Sequence, residues 1–304
     1  MRIFHSRSAL PDFLSNDGQF KMACLQSAAM RIKISLMPLD DPASLPLDHV
    51  PLAALIYRSV SIIAPEYAAF LHEQGYQQDA AKARAAFKFF VFSKPYLPDT
   101  LLDKGRDEHV WFRGGRVSWQ VASPEENFLR ALANGLISQQ VVTIGDQRHV
   151  TRFMVVQIEE ILSPQFTGKM RFTTLSPLTV SVSEPGNTEK QYLRADDPRF
   201  GLHVCKNLCH KFRVWTGKEI DADLLRFEFD WQYIEQRGGV QRVSRLESYK
   251  GTKIKSWQAP FVVTAPPALL RLGWECGFGE GNSKGFGMAQ ASGAHSTTKI
   301  LYRV

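Results

Sequence analysis

The chain has 304 residues, a length suited to two compact domains. Apolar residues make up 44% and charged residues 22%, which is typical of a folded, water-soluble protein. No apolar run reaches the length of a membrane-spanning helix, so no membrane partner is expected. The net charge of +7 favours a polyanionic partner, although an ordinary basic enzyme would have the same charge.

The first 29 residues have neither the apolar core nor the cleavage site of a signal peptide. An alternating strand pattern, Arg-Ile-Lys-Ile-Ser-Leu, starts directly after Met30. We therefore expect the folded protein to begin at Met30. Residues 1–29 are expected to be a poorly ordered extension from a misplaced start codon, with a genuine N-terminal arm as the alternative.

The first half of the folded region alternates strands and helices. The pattern predicts a strand over 30–38, a helix capped by Asp48, a helix from Pro65 to Gly75, strands over 87–93 and 108–122, a helix over 124–136 capped by Ser123, and a strand over 148–162. This order of strand, helix, strand, strand, helix, strand is the ferredoxin-like (RRM-type) plan.

The second half repeats that plan. The predicted elements are a strand over 172–182, a helix over 198–217, strands over 225–233 and 243–264, a helix over 266–272 and a last strand over 286–291. We therefore predict an α+β protein of two tandem ferredoxin-like domains, 30–163 and 170–291, with residues 292–304 as a tail.

A glycine-rich segment near the C-terminus is the most unusual local feature. Glycine permits positive φ angles and lets backbone N–H groups approach an anion such as phosphate. Neither nucleotide pattern fits, because G-x-x-x-x-G-K-[ST] is absent and Asn282 stands where G-x-G-x-x-G requires its third glycine. A flexible hairpin connection is the plain alternative. The predicted anion-binding residues are Gly277, Gly279, Gly281, Lys284, Gly285 and Gly287.

A basic stretch between residues 237 and 255 contains a single acid, Glu247. We interpret it as a long hairpin with Gly238-Gly239 near its turn, suited to following the phosphates of a nucleic acid, although a solvated charged hairpin would look the same. Arg31 and Lys33 on the first strand are predicted to extend this surface across the cleft. The cations of the stretch that are assigned to phosphate contact are Arg242, Arg245, Lys250 and Lys253.

The segment Gly277-Phe-Gly-Glu-Gly-Asn-Ser-Lys-Gly-Phe-Gly287 closely resembles the C-terminal glycine-rich signature of the CRISPR-associated repeat-RNA endoribonucleases of the Cas6 family. Phe172-Thr-Thr-Leu-Ser-Pro-Leu-Thr-Val180 is similar to that family's mid-chain strand. Leu55-Ile-Tyr-Arg58 and Phe70-Leu-His-Glu73 resemble its N-terminal helical pair. Together the matching segments span roughly residues 30–291.

The resemblance implies two ferredoxin-like domains and an endoribonuclease that uses neither metal nor cofactor. It implies attack of the ribose 2′-OH on the adjacent phosphate, which leaves a 2′,3′-cyclic phosphate and a 5′-OH. Tyr57, His72 and Lys88 stand at the family's catalytic positions. Lys88 is the least secure of the three, since the alignment can slip to Lys82 or Arg84. The ordinary alternatives are a core-edge tyrosine, a helix-end histidine and a solvated lysine.

The segment His203-x-Cys205-x-x-x-Cys209-His210 has the spacing of metal ligands. Both cysteines, however, fall on the apolar stripe of their predicted helix, and no second C-x-x-C follows, so we interpret them as core residues. The four cysteines of the chain are too few and too scattered for a disulfide framework and favour a reducing cytoplasm, which the family resemblance implies is prokaryotic.

Three hypotheses follow from the sequence. The leading one is an endoribonuclease that cuts CRISPR precursor RNA within its repeats to make guide RNAs. The alternatives are an RNA-binding relative that does not cut, and an enzyme that binds a mononucleotide at the glycine-rich segment. The sequence leaves open the repeat sequence, a homodimer, and other subunits of a CRISPR interference complex as partners.

Overall fold

The computed structural model describes residues 30–77, 86–97, 101–183, 190–293 and 298–304, so the predicted extension over residues 1–29 lies outside the described ranges. The elements of the first half are β1 (Arg31–Pro38), β2 (Ala43–Pro46), α1 (Val50–Ile63), α2 (Pro65–Glu73), β3 (Val91–Phe92), β4 (Leu101–Arg106), β5 (His109–Phe112), β6 (Val117–Ala122), α3 (Glu126–Gln139), β7 (Val141–Gly145) and β8 (Val150–Ile161).

The second half is also mixed helix and strand. Its elements are β9 (Lys169–Thr174), β10 (Ser181–Val182), β11 (Gln191–Tyr192), α4 (Arg199–Thr216), β12 (Arg226–Phe229), α5 (Trp231–Gln236), α6 (Val240–Val243), β13 (Ser244–Tyr249), β14 (Thr252–Trp257), β15 (Phe261–Thr264), α7 (Pro267–Cys276), β16 (Ala289–Ala291) and β17 (Thr298–Arg303). Short 3-10 turns cover Ala222–Leu224 and Asn282–Lys284. No helix within the described ranges is long and apolar enough to cross a membrane.

The first-half sheet has the order β17-β8-β1-β6-β3, and β7 also pairs with β8. Its strands β8-β1-β6-β3 follow the 4-1-3-2 order of a ferredoxin-like unit, with α1 and α3 as the two helices. The second-half sheet has the order β12-β15-β9-β16, which is the same order read from its other edge. A separate sheet, β2-β5-β4, is inserted in the first half, and β13 and β14 form a hairpin.

The α+β fold class is confirmed, and most predicted elements are present. The predicted tail is wrong in part, because β17 pairs antiparallel with β8 and extends the first-half sheet. The aromatic segment 87–93 is a strand only at Val91–Phe92. The predicted cap of α3 is also wrong, because the Glu125 carboxylate, not the Ser123 hydroxyl, accepts a hydrogen bond from the first turn of the helix.

Helix α1 is held close to α3 by a glycine. A Cβ added at Gly135 of α3 would lie 1.9 Å from the Ser59 carbonyl oxygen of α1, so no other residue fits there without moving a helix. The Gln139 side chain adds a hydrogen bond to Ser59 Oγ at 3.1 Å. Ile56 and Val60 fill the core on the adjoining stripe of α1. This packing fixes the helix that carries Tyr57.

Candidate active site

The structure brings Tyr57, His72 and Lys88 together. Tyr57 lies on α1 and His72 in the last turn of α2, and their ring centroids are 5.6 Å apart in an edge-to-face arrangement. The Lys88 ammonium donates a hydrogen bond to the His72 carbonyl oxygen at 3.1 Å. The imidazole of His72 belongs to an exposed residue, while Tyr57 and Lys88 are half-buried. The three residues therefore form one cluster at the protein surface, which we call the catalytic cluster after the role that the family resemblance implies for it.

Burial tunes two members of the catalytic cluster. It raises the pKa of Tyr57 to about 12, with a smaller contribution from Tyr249, so the phenol stays protonated at neutral pH. Burial also lowers the pKa of the Lys88 ammonium. A protonated phenol can donate a hydrogen bond but cannot act as a base near neutrality. The imidazole of His72 is thus the group in this cluster best suited to take a proton.

The glycine-rich segment is folded tightly on itself. Gly277, Gly279, Gly285 and Gly287 are buried, and the segment is held by backbone hydrogen bonds such as Gly287 N–H to Pro177 O at 2.8 Å. The Asn282 amide donates to the carbonyl oxygens of Phe278 and Phe286 at 3.2 and 2.9 Å. The glycines are therefore needed for packing, and the part that reaches the surface is the turn from Gly281 to Lys284.

We expect the alanine variant of Gly287 to be strongly destabilised. Its φ is +78°, and an added Cβ would lie 1.9 Å from the Phe278 carbonyl oxygen. The left-handed conformation alone costs about 1–2 kcal/mol, and overpacking adds about 1–3 kcal/mol. Gly293 is a matched control, because its φ is +80° but nothing lies within 4 Å of an added Cβ. Urea unfolding of both variants checks the prediction, and equal losses would contradict it.

Lys211 of α4 holds the same glycine-rich segment through buried hydrogen bonds. Its side chain is buried, and its ammonium donates to the carbonyl oxygens of Gly277 at 2.7 Å and Gly279 at 3.0 Å. Burial lowers the pKa of Lys211 to about 8, while Cys276 and Glu280 oppose the shift. The segment thus turns two carbonyl oxygens toward a buried cation. A phosphate-binding loop would instead turn backbone N–H groups toward an anion. Sequence patterning gave no sign of this residue, because one lysine on an amphipathic helix normally faces solvent.

The depressed pKa of Lys211 predicts a pH dependence of stability. An ordinary lysine titrates near 10.5, so between about pH 8 and 10.5 the unfolded chain binds a proton that the folded protein has released. Stability from this group therefore rises with pH across that window. We expect the free energy of unfolding of the wild type, relative to Lys211→Met, to increase by roughly 2–3 kcal/mol from pH 7 to pH 10.5. Parallel pH profiles of the two proteins would rule this out.

The basic stretch includes the predicted hairpin, now β13 and β14, but its turn lies at Lys250-Gly251. The predicted turn at Gly238-Gly239 is wrong, since these glycines connect α5 to α6. Of the predicted cations, Arg242, Lys250 and Lys253 are exposed. The Arg245 guanidinium is instead held by protein groups, including Gln258 Oε1 at 3.2 Å and the Arg242 carbonyl oxygen at 3.2 Å.

The predicted RNA contact of Arg31 is wrong. Its side chain is fully buried, and its guanidinium lies 3.9 Å from the centroid of the Trp274 ring. It donates hydrogen bonds to the carbonyl oxygens of Trp274 and Ala289, which belong to the second half of the chain. Lys33, two residues further along β1, remains partly exposed and pairs with Glu159 at 3.3 Å. Arg31 thus joins the two halves, and Lys33 stays a candidate for RNA.

A buried polar group of His49, Glu247 and Lys94, which we call the His49 joint, connects α1 to the glycine-rich segment and the hairpin. The sequence did not predict it. His49, which precedes α1, donates from Nδ1 to the Lys284 carbonyl oxygen at 3.1 Å. Its Nε2 lies 3.7 Å from a Glu247 carboxylate oxygen, and Glu247 also pairs with Lys94. Burial lowers the pKa of His49, and the Glu247 charge opposes the shift. The joint fixes where Lys284 lies relative to the helix that carries Tyr57.

The metal-like segment on α4 is part of the core, as predicted. Cys205 and Cys209 are buried among the apolar side chains of the second half. Burial raises the pKa of the Cys205 thiol to about 11, which disfavours the thiolate that binds metals. Within the described ranges, no group of three or more histidine, cysteine, aspartate or glutamate side chains is arranged to hold a metal ion.

Strand order and site together define a protein of two ferredoxin-like units with a surface cluster of histidine, tyrosine and lysine. The family model of CRISPR associated protein Cas6, C-terminal, matches residues 159–291. A CRISPR-associated endoribonuclease Cas6 of Pyrococcus furiosus is 27% identical, with 89% of this chain and 92% of the relative covered. The Cas6 1 endoribonuclease of Methanocaldococcus jannaschii is 26% identical, with 86% and 92% covered. These matches make the chain similar to Cas6 endoribonucleases over most of its length.

Solved structures agree with this fold. A Cas6-related protein from Pyrococcus furiosus superimposes with a TM-score of 0.69 at 20% identity, covering 87% of this chain and 99% of that chain. A RAMP protein described as binding different RNA substrates superimposes with a TM-score of 0.67 at 23% identity, covering 86% and 99%. At these identities the likeness establishes the fold and leaves function to the residues of the site.

Proposed function

We propose that this protein is a metal-independent endoribonuclease that cuts CRISPR precursor RNA within its repeats to make guide RNAs. The observation that carries the proposal is the convergence of Tyr57, His72 and Lys88 at the surface from α1, α2 and the segment before β3. Relatives that match most of this chain are named CRISPR-associated endoribonucleases, which supports the same activity here.

The proposed reaction is an internal transesterification. The ribose 2′-oxygen bonds to the adjacent phosphorus as the bond from phosphorus to the 5′-oxygen breaks, which leaves a 2′,3′-cyclic phosphate and a 5′-OH. One proton leaves the 2′-OH and one is delivered to the departing 5′-oxygen. Because the nucleophile belongs to the RNA, the protein has to supply proton transfer, orientation and charge stabilisation.

The environments of the three residues suggest how these tasks are divided. His72 carries an exposed imidazole, the side chain that most readily exchanges protons near neutral pH. Lys88 brings an ammonium next to His72, where it can stabilise the charge that develops on the phosphate oxygens. Tyr57, whose pKa is raised to about 12, can donate a hydrogen bond that orients the reacting phosphate. The sites of the alternative cations, Lys82 and Arg84, lie outside the described residues.

RNA binding is assigned to cations that the fold leaves exposed. Lys284 extends from the surface turn of the glycine-rich segment, and Lys250 and Lys253 lie at the tip of the hairpin. Arg242 precedes the hairpin, and Lys33 lies on β1. Positive groups of this kind bind phosphates without reading sequence, so binding should weaken as salt increases. Of the glycines, we keep Gly281 as an RNA contact because it belongs to the surface turn.

Incubation with repeat RNA from the host's CRISPR array, in excess EDTA, tests the proposal directly. We expect cutting at one position in each repeat, a 2′,3′-cyclic phosphate on the upstream product and a 5′-OH on the downstream one. A requirement for Mg²⁺ would favour a different mechanism. Binding without cutting would favour the non-catalytic relative, and binding of ATP or GTP instead of RNA would favour a nucleotide-dependent enzyme.

A further inference from the structure

An aromatic ring with a cation against it lies at the end of β13, next to the turn of the hairpin. Tyr249 is the last residue of β13 and pairs with Thr252 across the Lys250-Gly251 turn. The residue is half-buried, so part of its side chain remains accessible. The Lys284 ammonium, from the surface turn of the glycine-rich segment, lies 5.2 Å from the centroid of the Tyr249 ring. The Tyr249 ring and the Lys284 ammonium thus lie side by side, although they belong to two separate segments of the chain.

The charge around this ring is predominantly positive. The pKa of Lys284 is lowered by burial and then by the ammonium groups of Lys190 and Lys250, so three cations are close together. Two carboxylates are also near, and both already accept hydrogen bonds within the protein. Glu280 accepts from the Ser181 hydroxyl at 2.7 Å, and Asp48 accepts from the Val50 backbone N–H at 2.8 Å. Lys190 also pairs with Glu280 at 3.5 Å. Three cations against two carboxylates leave an excess of one positive charge.

The same ring lies beside the catalytic cluster. The phenol of Tyr249 is close enough to that of Tyr57 to raise its pKa, and the Tyr57 ring contacts the His72 ring. The His49 joint described above holds the Lys284 backbone against the start of α1. The Tyr249 ring, Lys284 and the catalytic cluster are therefore connected through α1, which carries Tyr57 and is preceded by His49.

We propose that Tyr249 and Lys284 form a binding subsite for one unpaired nucleotide of the RNA, directly beside the bond that is cut. The Tyr249 ring stacks against the base, and the Lys284 ammonium pairs with the phosphate of the same nucleotide. Aromatic rings and cations in combination are how proteins hold single-stranded nucleic acid, because every base presents a π face. A base inside a duplex is already stacked on both sides, so this nucleotide must be unpaired. The proposal rests on the RNA-cutting function proposed above.

Equilibrium binding to a non-cleavable repeat RNA, with a 2′-deoxy group at the mapped cutting position, tests the subsite. We expect Tyr249→Ala to raise Kd about tenfold or more, and Tyr249→Phe to bind within about twofold of the wild type because it keeps the ring. Tyr233→Ala is the matched control, since the Tyr233 ring on α5 also carries a cation, Arg237, at 5.2 Å. The control should bind like the wild type.

Abasic substitution, one nucleotide at a time, then locates the stacked base. In the wild type, removing that base should weaken binding about as much as Tyr249→Ala does, and in Tyr249→Ala its removal should have no further effect. We expect this coupling at one nucleotide next to the cut. Coupling at no nucleotide, unchanged binding by Tyr249→Ala, or equal losses in the alanine and phenylalanine variants would overturn the subsite.

The two proposals fail in different ways. A wild-type protein that binds repeat RNA but shows none of the Tyr249 effects removes the subsite and leaves the proposed function intact. A wild-type protein that neither binds nor cuts repeat RNA overturns the proposed function, and the subsite with it. Either conclusion requires that the Tyr249 variants are folded, which near-native circular dichroism spectra and thermal midpoints would show.

Discussion

Replacement of His72 by alanine is expected to slow RNA cutting by about 10²- to 10⁴-fold, the usual contribution of a positioned acid or base. In the proposed reaction the imidazole transfers the proton, because the neighbouring phenol has a pKa of about 12 and stays protonated. Loss of an exposed ring should change the free energy of unfolding by no more than about 0.5 kcal/mol. Single-turnover cutting in EDTA, with enzyme in excess over repeat RNA, measures the effect.

The control for this variant is His203→Ala. His203 lies on α4 in the second half of the chain, and it is half-buried. It should cut like the wild type, and both variants should bind non-cleavable RNA with unchanged Kd. Cutting by His72→Ala within about twofold of the wild-type rate would remove His72 from the mechanism. Weakened binding with an unchanged rate constant for bound RNA would reassign it to RNA recognition.

Lys88→Ala is a useful companion, because the sequence left its assignment least secure. The alanine variant loses both the ammonium and the hydrogen bond to the His72 carbonyl oxygen. The His72→Ala variant loses the imidazole but keeps that carbonyl, so the two single variants remove different groups. If the residues act in one transition state, the double variant should be little slower than the slower single variant. Multiplicative losses would indicate independent roles.

The sequence predicted the fold well where local patterns decide it. Alternation placed β1, and an apolar stripe at three- and four-residue spacing placed α1, both close to their observed bounds. Prediction from the sequence failed where long-range contacts decide whether a segment forms a strand. The segment that forms β17 was assigned to a tail, because its short edge strand gains its order from pairing with β8, a neighbour more than a hundred residues away in the chain.

In the candidate site, too, local motifs could be predicted from the sequence and long-range contacts could not. Tyr57 and His72 could be assigned from motifs because each motif lies on a single helix. The joint of His49, Glu247 and Lys94 could not, since its members come from three separate segments and none is unusual in its own sequence context. The glycines were recognised as important, but for a different reason, because composition cannot distinguish a phosphate cradle from a tightly packed turn.

Replacement of Arg31 by alanine should remove a large part of the protein's stability. The guanidinium is fully buried, stacks on Trp274 and donates to carbonyl oxygens of Trp274 and Ala289. Burial lowers its pKa to about 9, with Glu275 opposing the shift, so the group remains charged at neutral pH. Removal of one member of a buried charged network costs about 3–5 kcal/mol, a large part of a typical total stability of about 5–15 kcal/mol.

Lys33→Ala is the matched control, because both residues point from the same face of β1 and the sequence assigned both to RNA. Lys33 is partly exposed, and its pairing with Glu159 should contribute no more than about 1 kcal/mol. We expect Arg31→Ala to lower Tm by roughly 6–15 °C and Lys33→Ala by no more than about 3 °C. If Lys33 contacts a phosphate, its variant should instead bind RNA more weakly, with a salt dependence reduced by about one unit of slope.

Arg31→Met separates the two contributions of the arginine. Methionine keeps much of the apolar stem against Trp274 but leaves the two carbonyl oxygens without their donor. Both variants remove the cost of burying a charge, but methionine fills more of the space that the arginine leaves, so Arg31→Met should lose less stability than Arg31→Ala. A Tm for Arg31→Ala as high as that for Lys33→Ala would contradict the assignment of Arg31 to the contact between the two halves. It would then follow that the other contacts of β1 and α7 are enough to hold them.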